Sequence, residues 1–125
     1  MAGQLTIDTL KASSGVLATQ NGMTGIAKAW VNWNGTGTVA IRDSFNVSSI
    51  TDNGTGNYTV NFTTAMPNAN YSTVGVCALS GTVGAGDTNR GFTPQAYSTA
   101  SIRYVVTDGG SGVDPLYCNV AVFSS

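Results

Sequence analysis

From Lys28 to Ser72 the chain alternates apolar and polar residues, and glycine-bearing turns interrupt the alternation at short intervals. Successive side chains of an extended backbone point to opposite faces. A period of two, renewed after each turn, therefore encodes antiparallel strands with one buried and one wetted side. Ile26 to Asn34 is the first strong strand, with Ala29, Val31 and Trp33 on one face and Lys28, Trp30 and Asn32 on the other. Asn34-Gly35, helped by Gly37, supplies a tight turn. Thr38 to Asn46 places Val39, Ile41 and Phe45 inward and Ala40, Arg42 and Ser44 outward. Asp43 interrupts the inward row, which predicts a bulge or an exposed strand end. Val47 to Thr51 continues the strand after a kink, and Asp52 to Gly56 is a clear turn because Asn and Gly tolerate positive φ.

The alternation then runs without a fault, Tyr58, Val60 and Phe62 against Thr59, Asn61 and Thr63. Met66-Pro67-Asn68 breaks it, and Tyr71 to Ser80 resumes it; here Val74, Val76 and Ala78 are apolar too, which predicts a strand buried more deeply. Gly81 to Thr93 and Asp108 to Pro115 are glycine-rich and read as loops. Between and after them lie two more strands, Ser98 to Thr107 with Ile102, Tyr104 and Val106 inward and Arg103 outward, and Leu116 to Phe123. Upstream, Gln4 to Leu10 reads as a short strand with Leu5, Ile7 and Thr9 on one side, and Lys11 to Gly25 as an extended arm. Such an arm is ordered by a neighbouring subunit or by the assembly it joins. Seven to nine strands and no helix predict an all-β fold, an antiparallel, jelly-roll-like β-sandwich over residues 26–125 preceded by an N-terminal arm over 1–25.

Composition excludes several functions. Only 9% of the residues are charged against about 25% in a typical soluble domain, yet 42% are hydrophobic, so disorder is a poor account of the low charge. The polar surface must be built from Thr, Ser, Asn and Gly, which is nearly neutral and tolerates close packing against neighbours. A net charge of -1 offers no field for nucleic acid or acidic lipid. No window approaches the roughly eighteen apolar residues of a membrane span, and the N-terminus lacks the basic start and apolar core of a signal peptide. The expected site of synthesis and assembly is a cytoplasm. Cys77 alternates with Gly75 and Leu79, and Cys118 with Leu116 and Val120, so both point into a core. Two reduced, buried thiols is the preferred reading in a reducing compartment; a disulfide between neighbouring strands stays open.

Catalysis is poorly supplied. The chain has no histidine to activate a Ser or Cys nucleophile. Of the candidate carboxylates Asp43, Asp52, Asp87, Asp108 and Asp114, four sit in or beside turns, where Asp commonly bonds nearby backbone N–H groups. Asp108 to Asp114 lacks the ligand density of a calcium loop. The expectation is a protein that is not an enzyme and needs no cofactor or metal. Trp30 is hard to place inside a monomer, because it faces away from the row led by Val31 and Trp33. Two readings stay open, a partly covered surface Trp under a loop and, preferred, an aromatic anchor at a subunit contact, with Arg42 and Arg103 as outward partners and Leu5 and Ile7 of the arm as further contact residues.

The stretch KAWVNWNGTGTVAIRDSFNVSSITDNGTGNYTVNFTTAMPNANY, Lys28 to Tyr71, resembles a recurrent module of tailed-bacteriophage virion proteins, notably from phages of aquatic and cyanobacterial hosts. The resemblance covers a little over a third of the chain, and from Thr73 onward there is none. It implies a structural part of a fibre, spike or capsid decoration, often trimeric, with no catalytic residues to carry over. A chain of 125 residues has room for one small domain and an arm but not for a fibre shaft. The expectation is therefore a capsid cement or decoration protein that bridges subunits of the major capsid protein, or other virion proteins, as a homotrimer in the virion. The alternative is a tail fibre or fibre tip, whose loops Gly81 to Thr93 and Asp108 to Pro115, with Tyr97, Tyr104 and Tyr117 nearby, bind a host surface polysaccharide.

Overall fold

The computed structural model describes residues 26–81 and 90–124, together with Gly3. The expected strand Gln4 to Leu10, the arm and Asp87 lie outside the described residues. Among the described residues nine strands follow one another: β1 (Ala29–Asn34), β2 (Ala40–Phe45), β3 (Val47–Asp52), β4 (Asn57–Phe62), β5 (Ser72–Ala78), β6 (Arg90–Gln95), β7 (Ser101–Asp108), the two-residue β8 (Ser111–Gly112) and β9 (Tyr117–Phe123). They form two antiparallel sheets, the expected sandwich. Sheet A has the order β2-β1-β9-β5 and sheet B the order β3-β4-β7-β6, with β8 pairing β7. Hairpins β1–β2, β3–β4 and β6–β7 stay within a sheet, and the other long connections cross between sheets.

The core is the inward row of every major strand. Trp33, Tyr58, Val60, Ile102, Tyr104, Val106 and Cys118 are all buried. At its centre Trp33 meets Tyr58 edge-on at 6.0 Å between ring centroids, and Phe92 stacks on Tyr104 at 4.6 Å. These aromatic pairs add about 0.5–1.5 kcal/mol each beyond the area they bury. Lys28, expected on the outer face with Trp30, is buried instead. It precedes β1 on a bend, so the alternation of the strand does not govern it, and its carbonyl accepts a hydrogen bond from Asn46 Nδ2.

Asn46 is the hinge that carries the chain from sheet A to sheet B. Its φ of 55° is left-handed, a conformation Asn accepts more readily than most residues. Its side chain donates to the carbonyls of Lys28 and Thr64, both at 3.0 Å, and accepts from Thr64 N–H at 2.6 Å. Asn46→Gly keeps the backbone conformation accessible and deletes these bonds, so it is expected to cost about 1–3 kcal/mol in urea unfolding. A loss below a few tenths would show that the turn alone sets the crossing.

Three strand assignments are corrected. First, the interruption at Asp43 does mark a bulge, but one residue earlier: Asn32 pairs with Asp43 and Trp33 with Ile41, leaving Arg42 as the extra residue. An extra residue reverses the parity beyond it. Ser44 therefore lies opposite inward Val31, and Phe45 lies opposite outward Trp30, the reverse of the expectation for both. Second, the loop expected to run to Thr93 gives way at Arg90 to β6, an edge strand of sheet B. Pro94, which has no N–H for a ladder, is tolerated in such a position. Third, β5 is an edge strand of sheet A and not a strand buried on both faces, although Gly75 and Cys77 keep the inward side that the alternation predicts. Thr73, Gly75 and Cys77 face inward while Val74 and Val76 are 59% and 64% exposed. The Phe92 ring fills the interior here, since a Cβ on Gly75 would lie 2.4 Å from its Cε1.

Candidate interaction surface

The two outer faces of the sandwich differ in kind. That of sheet B is a closed polar lattice. Asn61 Nδ2 donates to Thr51 Oγ1 at 2.9 Å and Ser49 Oγ at 3.0 Å, and Asn53 Nδ2 to Thr59 Oγ1 at 2.8 Å. Arg103, on the same face, donates from Nε to Asn57 Oδ1 at 2.6 Å. Side chains that satisfy one another in this way leave little for a partner to gain.

The outer face of sheet A carries an apolar row. Antiparallel residues directly opposite one another share a face, so the register aligns Phe45, Trp30, Ala121 and Val74 in one row across all four strands. The next row is Asp43, Asn32, Asn119 and Val76, where Asn32 Nδ2 donates to Asn119 Oδ1. Of the six large hydrophobic residues exposed among the described residues, Trp30, Val74, Val76 and Tyr117 lie on this face. Ile26 stands just ahead of β1, and Tyr97 lies between β6 and β7. The concentration on one face is what separates an interaction surface from singly scattered apolar residues.

Arg42 is also on this side, but its head group is engaged within the chain. At the bulge Nη1 donates to the Trp33 carbonyl at 2.8 Å and to Asn32 Oδ1 at 3.2 Å, and Nη2 to the Leu116 carbonyl at 2.8 Å. The guanidinium sits 4.3 Å from the centroid of the Tyr117 ring, a cation–π contact. The Arg42 head group is thus held against the sheet by acceptors of the chain itself. Of the contact residues expected from sequence, Trp30 and Arg42 share this face, and Arg103 is on the opposite sheet. Leu5 and Ile7 lie outside the described residues. Phe45, Val74 and Val76 were not expected here: the bulge hid the first, and the unbroken apolar run of β5 concealed the valines as core.

Each described aspartate of the candidate set serves local structure. Asp43 accepts from Ser44 N–H, Asp52 from Gly54 N–H at 2.9 Å, and Asp108 pairs with Arg90. Asp114 accepts from the Tyr58 hydroxyl at 2.6 Å and from Gly56 N–H at 2.7 Å, which ties the segment before β9 to the start of β4, while Asp108 is engaged by Arg90. Tyr104 does not join Tyr97 and Tyr117 at a loop surface. It is buried under Phe92 with its hydroxyl bonded to Thr73. No protein-family model, no curated protein and no solved structure matches this chain.

Proposed function

We propose that the protein is a non-enzymatic structural component of a phage virion, a capsid cement or decoration protein whose copies meet one another through the outer face of sheet A and together bridge major capsid subunits. The observation that carries this reading is the asymmetry of the sandwich, one face a self-satisfied polar lattice and the other an apolar row from Phe45 to Val74. The virion setting comes from the resemblance of Lys28 to Tyr71. The mechanism is burial of shared surface: each contact binds the assembled state and not the free subunit, and so stabilises it by mass action. A chain with 9% charged residues opposes such self-contact with little repulsion.

Sedimentation at micromolar concentration tests the contact. Trp30→Ala is expected to weaken self-association by about 2 kcal/mol, roughly thirtyfold in Kd. Val74→Ser with Val76→Ser should act in the same direction while leaving the monomer's unfolding midpoint nearly unchanged, because exposed positions contribute within about 0.5 kcal/mol to stability. An oligomer mass identical to wild type in both variants would reject the surface. Counting copies in purified virions tests the address: a number comparable to the major capsid protein is expected, whereas a few copies on the tail would favour the fibre-tip alternative. That alternative is weakened by the burial of Tyr104 in the core.

A further inference from the structure

Cys77 and Cys118 occupy the same rung of the β5–β9 ladder. Both face the interior; Cys118 is fully buried, Cys77 is partly exposed at the sheet edge, and neither is in a disulfide. Directly opposed residues of antiparallel strands have Cα atoms about 4.5 or 5.5 Å apart, depending on the rung. A disulfide spans Cα separations of about 4.4–6.8 Å, so neither kind of rung requires the strands to move apart or together. We propose that Cys77 and Cys118 are a cross-strand redox pair that closes to an intramolecular disulfide when the protein meets a small-molecule disulfide.

The chemistry divides by exposure. Cys77, reachable from solvent, attacks the small disulfide as its thiolate, forming a mixed disulfide and expelling one small thiol. Cys118 then gives up its proton and attacks the Cys77 sulfur, and the second small thiol leaves. The two protein thiols are oxidised and the one small disulfide is reduced to two thiols. Burial, with Cys77 beside it, raises the Cys118 thiol well above the ordinary value. The second step is accordingly slow in the closed fold and quickens at higher pH or when the β5 edge opens. The bond would staple the edge strand that carries Val74 and Val76 to the centre of sheet A, and it closes roughly forty residues of chain. The inference rests on the ladder register alone and holds whatever covers the outer face.

The test uses the whole chain and oxidised glutathione. Reduced protein is incubated with it in the folded state and, separately, refolded from urea in a glutathione redox buffer. The expected product has an intact mass lower by two hydrogens, runs as a monomer on a non-reducing gel and melts roughly 10 °C higher. Reductant reverses the shift, and Cys77→Ser, a change at a partly exposed edge position, abolishes it. A lasting glutathione adduct on Cys77, a covalent dimer, or two alkylatable thiols after oxidative refolding would each overturn the proposal.

Discussion

Gly56→Ala is expected to cost the domain roughly 3–5 kcal/mol, a large share of the 5–15 kcal/mol that holds a typical domain folded. Gly56 has φ of 67°, and its carbonyl accepts from Val106 N–H at 2.7 Å while its own N–H reaches Asp114. A Cβ there would lie 2.4 Å from the Val106 carbonyl oxygen and 2.7 Å from Val113 N. These are backbone atoms of β7 and of the segment leading to β9, fixed by the ladder, and they cannot rotate aside as a side chain would. The control is Gly54→Ala in the same turn, where φ is 118° but nothing lies within 4 Å of the added carbon. It carries the conformational penalty alone, about 1–2 kcal/mol. Urea unfolding of both variants separates strain from collision. Equal losses would mean that close approach is not what Gly56 provides.

That close approach explains why the turn at Asp52 to Gly56 could be read from sequence while its role could not. Positive φ is a local property and is written in Asn and Gly. The contact of Gly56 with Val106 and Val113 joins residues some fifty positions apart, and no local pattern records it. The same distinction governs the strands. β1, β4, β7 and β9 carry faultless alternation because each has sheet neighbours on both sides and one face on the core, so their inward rows were readable. Trp30 was readable as outward for the same reason. Phe45 was not, since a single extra residue at Arg42 reverses all parity beyond it. Nor were Val74 and Val76, because an apolar residue on both sides of a strand fits a doubly buried strand and an edge strand with a sticky outer face equally well. What decided between them was the Phe92 ring opposite Gly75, supplied by a strand whose first residues, Arg90 to Thr93, the glycine-rich run disguised as loop.

The aromatic interior that holds the two sheets together also sets the condition under which they part. In the unfolded chain tyrosine ionises at pH 10.0 and cysteine at 9.0. In the fold, burial pushes the Tyr104 hydroxyl up to about 12, against the smaller opposing effect of its bond to Thr73. Tyr58 is raised further still, by burial first and then by its bond to the Asp114 carboxylate, and burial likewise raises Cys118. The folded state therefore holds protons that the unfolded state has released. The stability these groups contribute is fully present below pH 9 and is lost as pH climbs through the interval between unfolded and folded values. Each group removes about 1.4 kcal/mol per pH unit across its interval, so three together remove on the order of 4 kcal/mol per unit above pH 10. A cooperative loss of the β-sheet circular dichroism signal is expected before pH 12, in one step with the tyrosinate absorbance of the buried rings. With no histidine in the chain, the same titration should be level between roughly pH 6 and 8. Sheet signal retained at pH 12, with tyrosinate appearing gradually, would mean that solvent reaches these hydroxyls without unfolding the sandwich.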